Sequence, residues 1–259
     1  MDAAARTDRI APSAATASVV AALFAYESDR DMPRVAIPRP EIHLVARFGP
    51  TCRGGLDVHA LGVREHVVRK LIRRGQRIVM ARLQLGAPEA VLGVRASAIA
   101  GRIVALEDLW GSAATRRLCD RLANARDLLD AASVMDGAIA ERLTLVHGTD
   151  AGARLALHAA GRLTSANVNE VADDLGVSER HLRRVFRDAV GVSPKAFARL
   201  TRFRHAVRAA RERTPASWAS IAAAAGYYDQ AHLIAEFRAI AGVTPRALLG
   251  ELRAAPTVG

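Results

Sequence analysis

Cysteine is almost missing from this chain: Cys52 and Cys119 are the only two in 259 residues, too few for a disulfide framework or a four-cysteine zinc cluster. Both are expected to be reduced thiols in a cytoplasmic protein. Lysine is nearly as scarce, since Lys70 and Lys195 stand alone among 37 basic residues and the rest are arginines. Aromatic residues reach only 4%, which suits Ala- and Leu-rich helices better than an aromatic-rich sandwich. No apolar run approaches the ~20 residues of a membrane helix. The longest early one, residues 19–26, follows a stretch containing Asp2 and Asp8 rather than a purely basic leader, so neither secretion nor a membrane partner is expected. Catalytic signatures are missing as well. The eight histidines form no His-x-His or His-x-x-x-His pair, and neither G-x-S-x-G nor a P-loop occurs. No metal, cofactor or catalytic residue is assigned, and Glu107 and Asp108 are read as acidic partners of a helix N-terminus.

What the chain does have is positive charge: 37 basic against 26 acidic residues, a formal +11. Arginine abundance alone is weak evidence for a nucleic-acid partner, so its placement matters more. Residues 1–18, rich in Ala, Ser and Thr, read as a flexible tail. From 19 to 105 the pattern is one of short extended runs bounded by turn residues, as at 41–48 before Gly49 and Pro50, 56–63 after Gly54 and Gly55, and 76–85 between Gly75 and Gly86. These predict a small β-barrel or sandwich that either holds a small-molecule effector or is simply filled. Between 106 and 150 the apolar period becomes helical, with Leu118, Leu122, Ala125 and Leu129, then Val134, Ala138, Ile139 and Leu143. This connector either pairs two protomers or packs on its own barrel. From 151 to 259 everything reads as helix, so the fold class is α+β.

The helical part repeats itself. Val171, Gly176, Leu182, Phe186, Gly191 and Pro194 recur as Ile221, Gly226, Leu233, Phe237, Gly242 and Pro245, at an offset of 50 that becomes 51 after the glycine turn. In the first copy Asn167 and Glu170 form a capping box, Gly176 ends a helix, and Ser178 caps the next one. With Leu182, Val185, Phe186 and Ala189 inward, the outer face carries Arg180, Arg184 and Arg187, flanked by His181 and Arg183. Helix, glycine turn, helix is the helix-turn-helix arrangement, whose second helix enters a major groove. A plain bundle with a solvated face is the competing reading. Residues 179–213 carry eleven basic side chains against three acidic ones, however, where a solvated face mixes signs. Ser193 and Pro194 open a connecting helix that can run to about residue 212, ~28 Å at 1.5 Å per residue.

The segments ADDLGVSERHLRRVFRDAVGVSPKAF (172–197) and AAAAGYYDQAHLIAEFRAIAGVTPRAL (222–248) resemble the DNA-binding domain of AraC-family transcriptional regulators. The segment LGVRASAIAGRIVALEDLWG (92–111) is similar to the barrel-type domain of a branch of that family. The resemblance implies a bipartite helix-turn-helix domain over 151–259, with recognition helices at 178–187 and 229–238. The implied DNA contacts are Ser178, Arg180, His181, Arg183, Arg184 and Arg187 in the first and Asp229, Gln230, His232 and Arg238 in the second, with Lys195 and Arg199 on phosphates. Expected partners are a double-stranded DNA operator, RNA polymerase, a small-molecule effector and a second copy of the chain. Tyr228 departs from the family pattern, standing where a small capping residue is usual and leaving Asp229 as the cap. Residues 154–259 hold 16 basic and 9 acidic groups and residues 1–153 hold 21 and 17, so two separable halves are expected. A ligand-binding or self-associating scaffold without specific DNA binding is the alternative function.

Overall fold

The computed structural model describes residues 5–145, 151–212 and 217–254. Those parts of the expected tail, connector and DNA-binding domain that fall at 1–4, 146–150, 213–216 and 255–259 lie outside the described residues. The strands are β1 (Ala5–Ile10), β2 (Val20–Ser28), β3 (Met32–Ala36), β4 (His43–Phe48), β5 (Leu56–Leu61), β6 (Val68–Ile72), β7 (Arg77–Leu83) and β8 (Ile103–Ala105). Six of them form an antiparallel sheet in the order β1-β2-β7-β4-β5-β8, and β3 pairs with β6 as a separate ribbon.

Both faces of the sheet are covered, which explains why Ile78, Val79 and Met80 are consecutive apolar residues. Val79, Ala81 and Leu83 of β7 join Leu44 and Ala46 of β4 in the core shared with the helices. Ile78 and Met80 face the other way, into a small cluster with Tyr26 and Val45 of the sheet and Met32 and Ile72 of the ribbon. The ribbon therefore closes one side of the sheet as the wall of a small barrel.

The start of the chain departs from expectation. Residues read as a loose tail form edge strand β1, paired with β2 from Ala5↔Ser28 to Ile10↔Leu23. Beyond it, the Ser13 N–H donates to Asp136 Oδ2 at 3.2 Å, and the buried Thr16 hydroxyl donates to Asp136 Oδ1. A carboxylate taken out of water requires donors, and this polar Ser/Thr-containing segment supplies them.

Short helices α1 (Pro88–Leu92), α2 (Ala96–Ile99) and α3 (Leu106–Trp110) lead into α4 (Ser112–Ala123) and α5 (Leu128–Leu143). Glu107 and Asp108 lie in the first turn of α3, as the dipole argument anticipates. Asp127 caps α5 by accepting from the Asp130 N–H at 2.8 Å. The buried stripe of α5, which includes Ala132, Met135 and Ile139, belongs to the same core as the sheet. The connector thus packs on the chain's own strands. Among the described residues no helix is long and apolar enough to cross a membrane.

The C-terminal helices are α6 (Ala151–Arg162), α7 (Val168–Asp174), α8 (Glu179–Val190), α9 (Pro194–Arg211), α10 (Trp218–Ala224), α11 (Gln230–Ala241) and α12 (Pro245–Ala254). The apolar core does not divide near residue 150. Leu182, Phe186 and Val190 of α8 sit in one continuous cluster with Ala96, Ile99, Leu106 and Met135 of the N-terminal half. A second cluster around Phe203, Leu233 and Phe237 takes in Val35, and Ile37 and Val67 pack against it. Each half of the helical region thus shares its core with a different part of the β domain, so the cores are not those of two independent bodies.

Candidate nucleic-acid interface

The first helix pair is built as its residue types require. Asn167 Oδ1 accepts from the Glu170 N–H at 3.0 Å while Glu170 Oε2 accepts from the Asn167 N–H at 3.1 Å, closing the capping box of α7. Gly176 makes the turn at φ +66°, the left-handed region that glycine enters without penalty. Ser178 Oγ then accepts from the His181 N–H at 3.2 Å and starts α8. Leu182 and Phe186 are fully buried, and Phe186 meets Phe197 of α9 edge-on at 5.3 Å. Burying each such side chain is worth about 1.5–3 kcal/mol, which fixes the rotation of α8 about its axis. Arg180, His181, Arg183, Arg184 and Arg187 are consequently left exposed on the opposite side.

The second unit repeats the construction. The Val177 N–H donates to Ala172 O in one turn and the Tyr227 N–H to Ala222 O in the other, at 3.0 and 2.9 Å. Ser178 and Asp229 hold matching N-cap positions, with Asp229 Oδ1 accepting from the His232 N–H at 2.7 Å. The extra residue of the second copy is therefore Tyr228, which projects from the turn at 93% exposure. The change of offset in the sequence signalled an insertion, but not which residue it was or that it points outward. Gln230, Ala231, His232, Ala235 and Arg238 form the exposed face of α11. Around its inner face, Phe237 packs on Phe203 at 4.7 Å and Trp218 at 6.5 Å.

Several charges expected on DNA are partly committed within the chain. Arg183 pairs with Glu179 one turn back. Arg199 is half-buried and bonded through Nε to Glu236 Oε2 at 2.8 Å, tying α9 to α11. Lys195 is exposed at the start of α9. Arg184 Nη2 lies 3.3 Å from His181 Nδ1.

The N-terminal half reaches both α8 and α11 at their C-terminal ends, which sequence reasoning did not anticipate. At α8, Ser97 Oγ donates to Asp188 Oδ1 at 2.9 Å and Arg95 Nη1 to Asp188 Oδ2 at 3.4 Å. Beside them Gly191, at φ +92°, sits so close to α2 that a Cβ there would lie 3.2 Å from Ala96 O. At α11, the Val67 N–H donates to Ile240 O at 2.9 Å and Arg69 Nη2 to Ala241 O at 2.9 Å. The latter two are carbonyls that a helix end leaves unpaired, and a cation there suits the helix dipole. Arg69 also bonds Glu251 of α12 through Nε at 2.8 Å.

Within the barrel, Arg34 and Lys70 stand directly opposite each other across the ribbon. Arg34 lies 5.3 Å from the centre of the Tyr26 ring. Desolvation by the side chains crowded around it, followed by repulsion from Arg34, Arg47 and Arg64, lowers the Lys70 ammonium to about 8, although Lys70 keeps contact with solvent. On β5, Asp57 bonds Arg47 at 2.6 Å and His59 at 2.9 Å. Among the described residues no group of three or more His, Cys, Asp and Glu side chains is placed to hold a metal ion.

Paired helix-turn-helix units whose outer faces carry exposed arginine, histidine and glutamine define a DNA-binding protein of the transcription-regulator class. Residues 155–251 match a family model described as a helix-turn-helix domain, and this region is a helix-turn-helix domain of the AraC type. The chain is similar to the solved structure of ToxT from Vibrio cholerae at 9% identity, covering 96% of this chain and 98% of that one, with a TM-score of 0.45. It is similar also to an unsaturated-fatty-acid-bound ToxT from Vibrio cholerae at 10% identity, 98% and 96% coverage and a TM-score of 0.42. The AraC-like transcriptional activator CuxR resembles it at 11% identity, 80% and 87% coverage and a TM-score of 0.26. No curated protein matches the chain.

Proposed function

We infer that the chain is a cytoplasmic, sequence-specific transcriptional regulator that reads two successive major-groove faces of a double-stranded operator, α8 in one and α11 in the next. The observation that carries the reading is the repeated outward face on one connecting helix. Helix α9 has 18 residues, about 27 Å at 1.5 Å per residue, comparable with the ~34–36 Å between successive groove faces. The two helices share the work unequally. Arg180 and Arg184 can each make bidentate bonds to guanine, while the equivalent Ala231 and Ala235 offer only apolar contact, for instance to a thymine methyl. Sequence preference therefore resides mainly in the first unit.

The barrel serves as the effector domain. The apolar cluster of Tyr26, Val45, Ile78 and Met80 lies on the same side of the ribbon as the register positions of Arg34 and Lys70, a setting suited to a small molecule with an apolar body and an acidic group. Selection of bound sequences from a random duplex pool, followed by a salt titration on the selected site, tests the DNA reading. A steep loss of affinity with salt and a defined two-part site are expected. A chain that enriches no sequence and binds no duplex at low salt is not such a regulator.

A further inference from the structure

Between α2 and the first recognition helix lies an open cleft of about 590 Å3, bounded by Ser97 and Ala98 on one side and by Arg184, Arg187 and Asp188 on the other. Its charges do not cancel. Arg183 at the rim is neutralised by Glu179, and Asp188 by Arg95 together with the Ser97 hydroxyl. Arg184 and Arg187 have no carboxylate partner among the described residues, and like charges three residues apart on a helix repel. The cleft thus carries a surplus of two positive charges.

Its location says which anion it suits. A recognition helix presents its N-terminal residues to base edges, so its C-terminal end passes the sugar-phosphate strand bordering the groove. Arg187 and Asp188 occupy that end of α8, and α2 stands beside it as a second wall. Arg95 approaches Asp188 through Nη1 alone, at 3.4 Å, and its side chain remains 62% exposed. A guanidinium has five N–H donors, so most of them remain available to another acceptor.

We propose that this cleft seats a backbone phosphate of the bound duplex between Arg187 of the recognition helix and Arg95 of the N-terminal half. The β domain is then part of the DNA-binding surface as well as a neighbour of it. The inference rests on the DNA-binding reading above. A phosphate contact carries no base information, so its loss weakens all sequences alike.

The test uses the full chain and a random-sequence duplex, with binding measured over a series of salt concentrations. Arg95→Ala is expected to weaken binding about fivefold and to reduce the slope of log K against log salt by ~0.9, the value for one phosphate contact. Asp188→Asn separates this from a positioning role, because it breaks the same ion pair while removing a negative charge from the cleft. It is expected to bind as tightly as the unmodified chain or tighter. Unchanged affinity and slope in Arg95→Ala would overturn the proposal. So would equal weakening by both variants, which would make Arg95 a brace for α8 acting through Asp188. If the unmodified chain binds no duplex at all, the DNA-binding reading itself fails, and this inference with it.

Discussion

Ser97 of α2 and Asp188 of α8 are joined by a 2.9 Å hydrogen bond between residues 91 positions apart. Around it, Ala96, Ile99, Leu182, Phe186 and Val190 share one apolar cluster. A fragment starting at residue 151 therefore exposes part of the first unit's core. In thermal melts followed by circular dichroism it should unfold at a lower temperature than the same helices in the whole chain. An equally stable fragment would show that the shared cluster contributes nothing to the first unit.

Asp136 makes a second long-range tie, accepting from the Ser13 N–H and the Thr16 hydroxyl. Thr16→Val keeps the shape and removes one donor from a buried carboxylate. It should cost about 1–3 kcal/mol in urea unfolding, the penalty of an unsatisfied buried polar group. Thr16→Ser should retain most of the stability.

Two bases, half-buried His43 and the more exposed Lys70, set opposite ends of the pH profile. His43 is lowered to about 3 from 6.5, first by burial and then by Arg39 and Arg82. The unfolded chain binds this proton more readily, so stability falls as pH drops below 6.5 and the loss is complete near 3. Lys70, lowered to about 8 from 10.5, opposes folding while charged, and stability rises as pH climbs between those values. Lys70→Met should raise the melting temperature at neutral pH and have little effect above that window. His43→Gln should flatten the acid limb. A melting temperature that moves with pH identically in each variant and the parent would refute the assignment.

At the DNA face, Arg184→Ala should relax base preference at particular operator positions by ~1–3 kcal/mol, and Gln230→Ala should change discrimination less. The reverse order on a panel of single-base operator variants would assign specificity to the second unit.

Tyr228 is 93% exposed at the start of α11, so Tyr228→Ala should change folding stability by no more than about 0.5 kcal/mol. Operator affinity should nevertheless fall, measured by fluorescence anisotropy, because this ring precedes the end of the helix proposed to meet the bases. Unaltered affinity would leave Tyr228 an ordinary surface residue.

The helical half was legible because its signals are local. Caps at Asn167, Ser178, Ser193 and Asp229, glycine turns and a repeated apolar period each act within a few residues. The central strands β4, β5 and β7 were legible for the same reason, their ends marked by glycine and proline. The ribbon was harder to see: β3 contains Pro33 and Arg34, and β6 contains Arg69 and Lys70, so neither reads as an apolar strand. Its stabilisation comes from a partner 36 residues away at Arg34↔Lys70 and from the helices behind it. Edge strand β1 escaped notice because its polar residues are held by β2. The ties at Asp188, Ala241 and Glu236 are tertiary, and no pattern within one segment announces them.

The β3–β6 ribbon has two faces with different occupants. Met32, Arg34, Lys70 and Ile72 fall on the alternate positions that look into the barrel, while Val35 and Arg69 turn toward the second helix-turn-helix unit. The ribbon is thus a partition wall shared by two packed cores. Were a small molecule and DNA both to favour one setting of that wall, each would alter the other's affinity by the same factor. Operator fragments would then act as effectors of the barrel, and the coupling could be measured from either end.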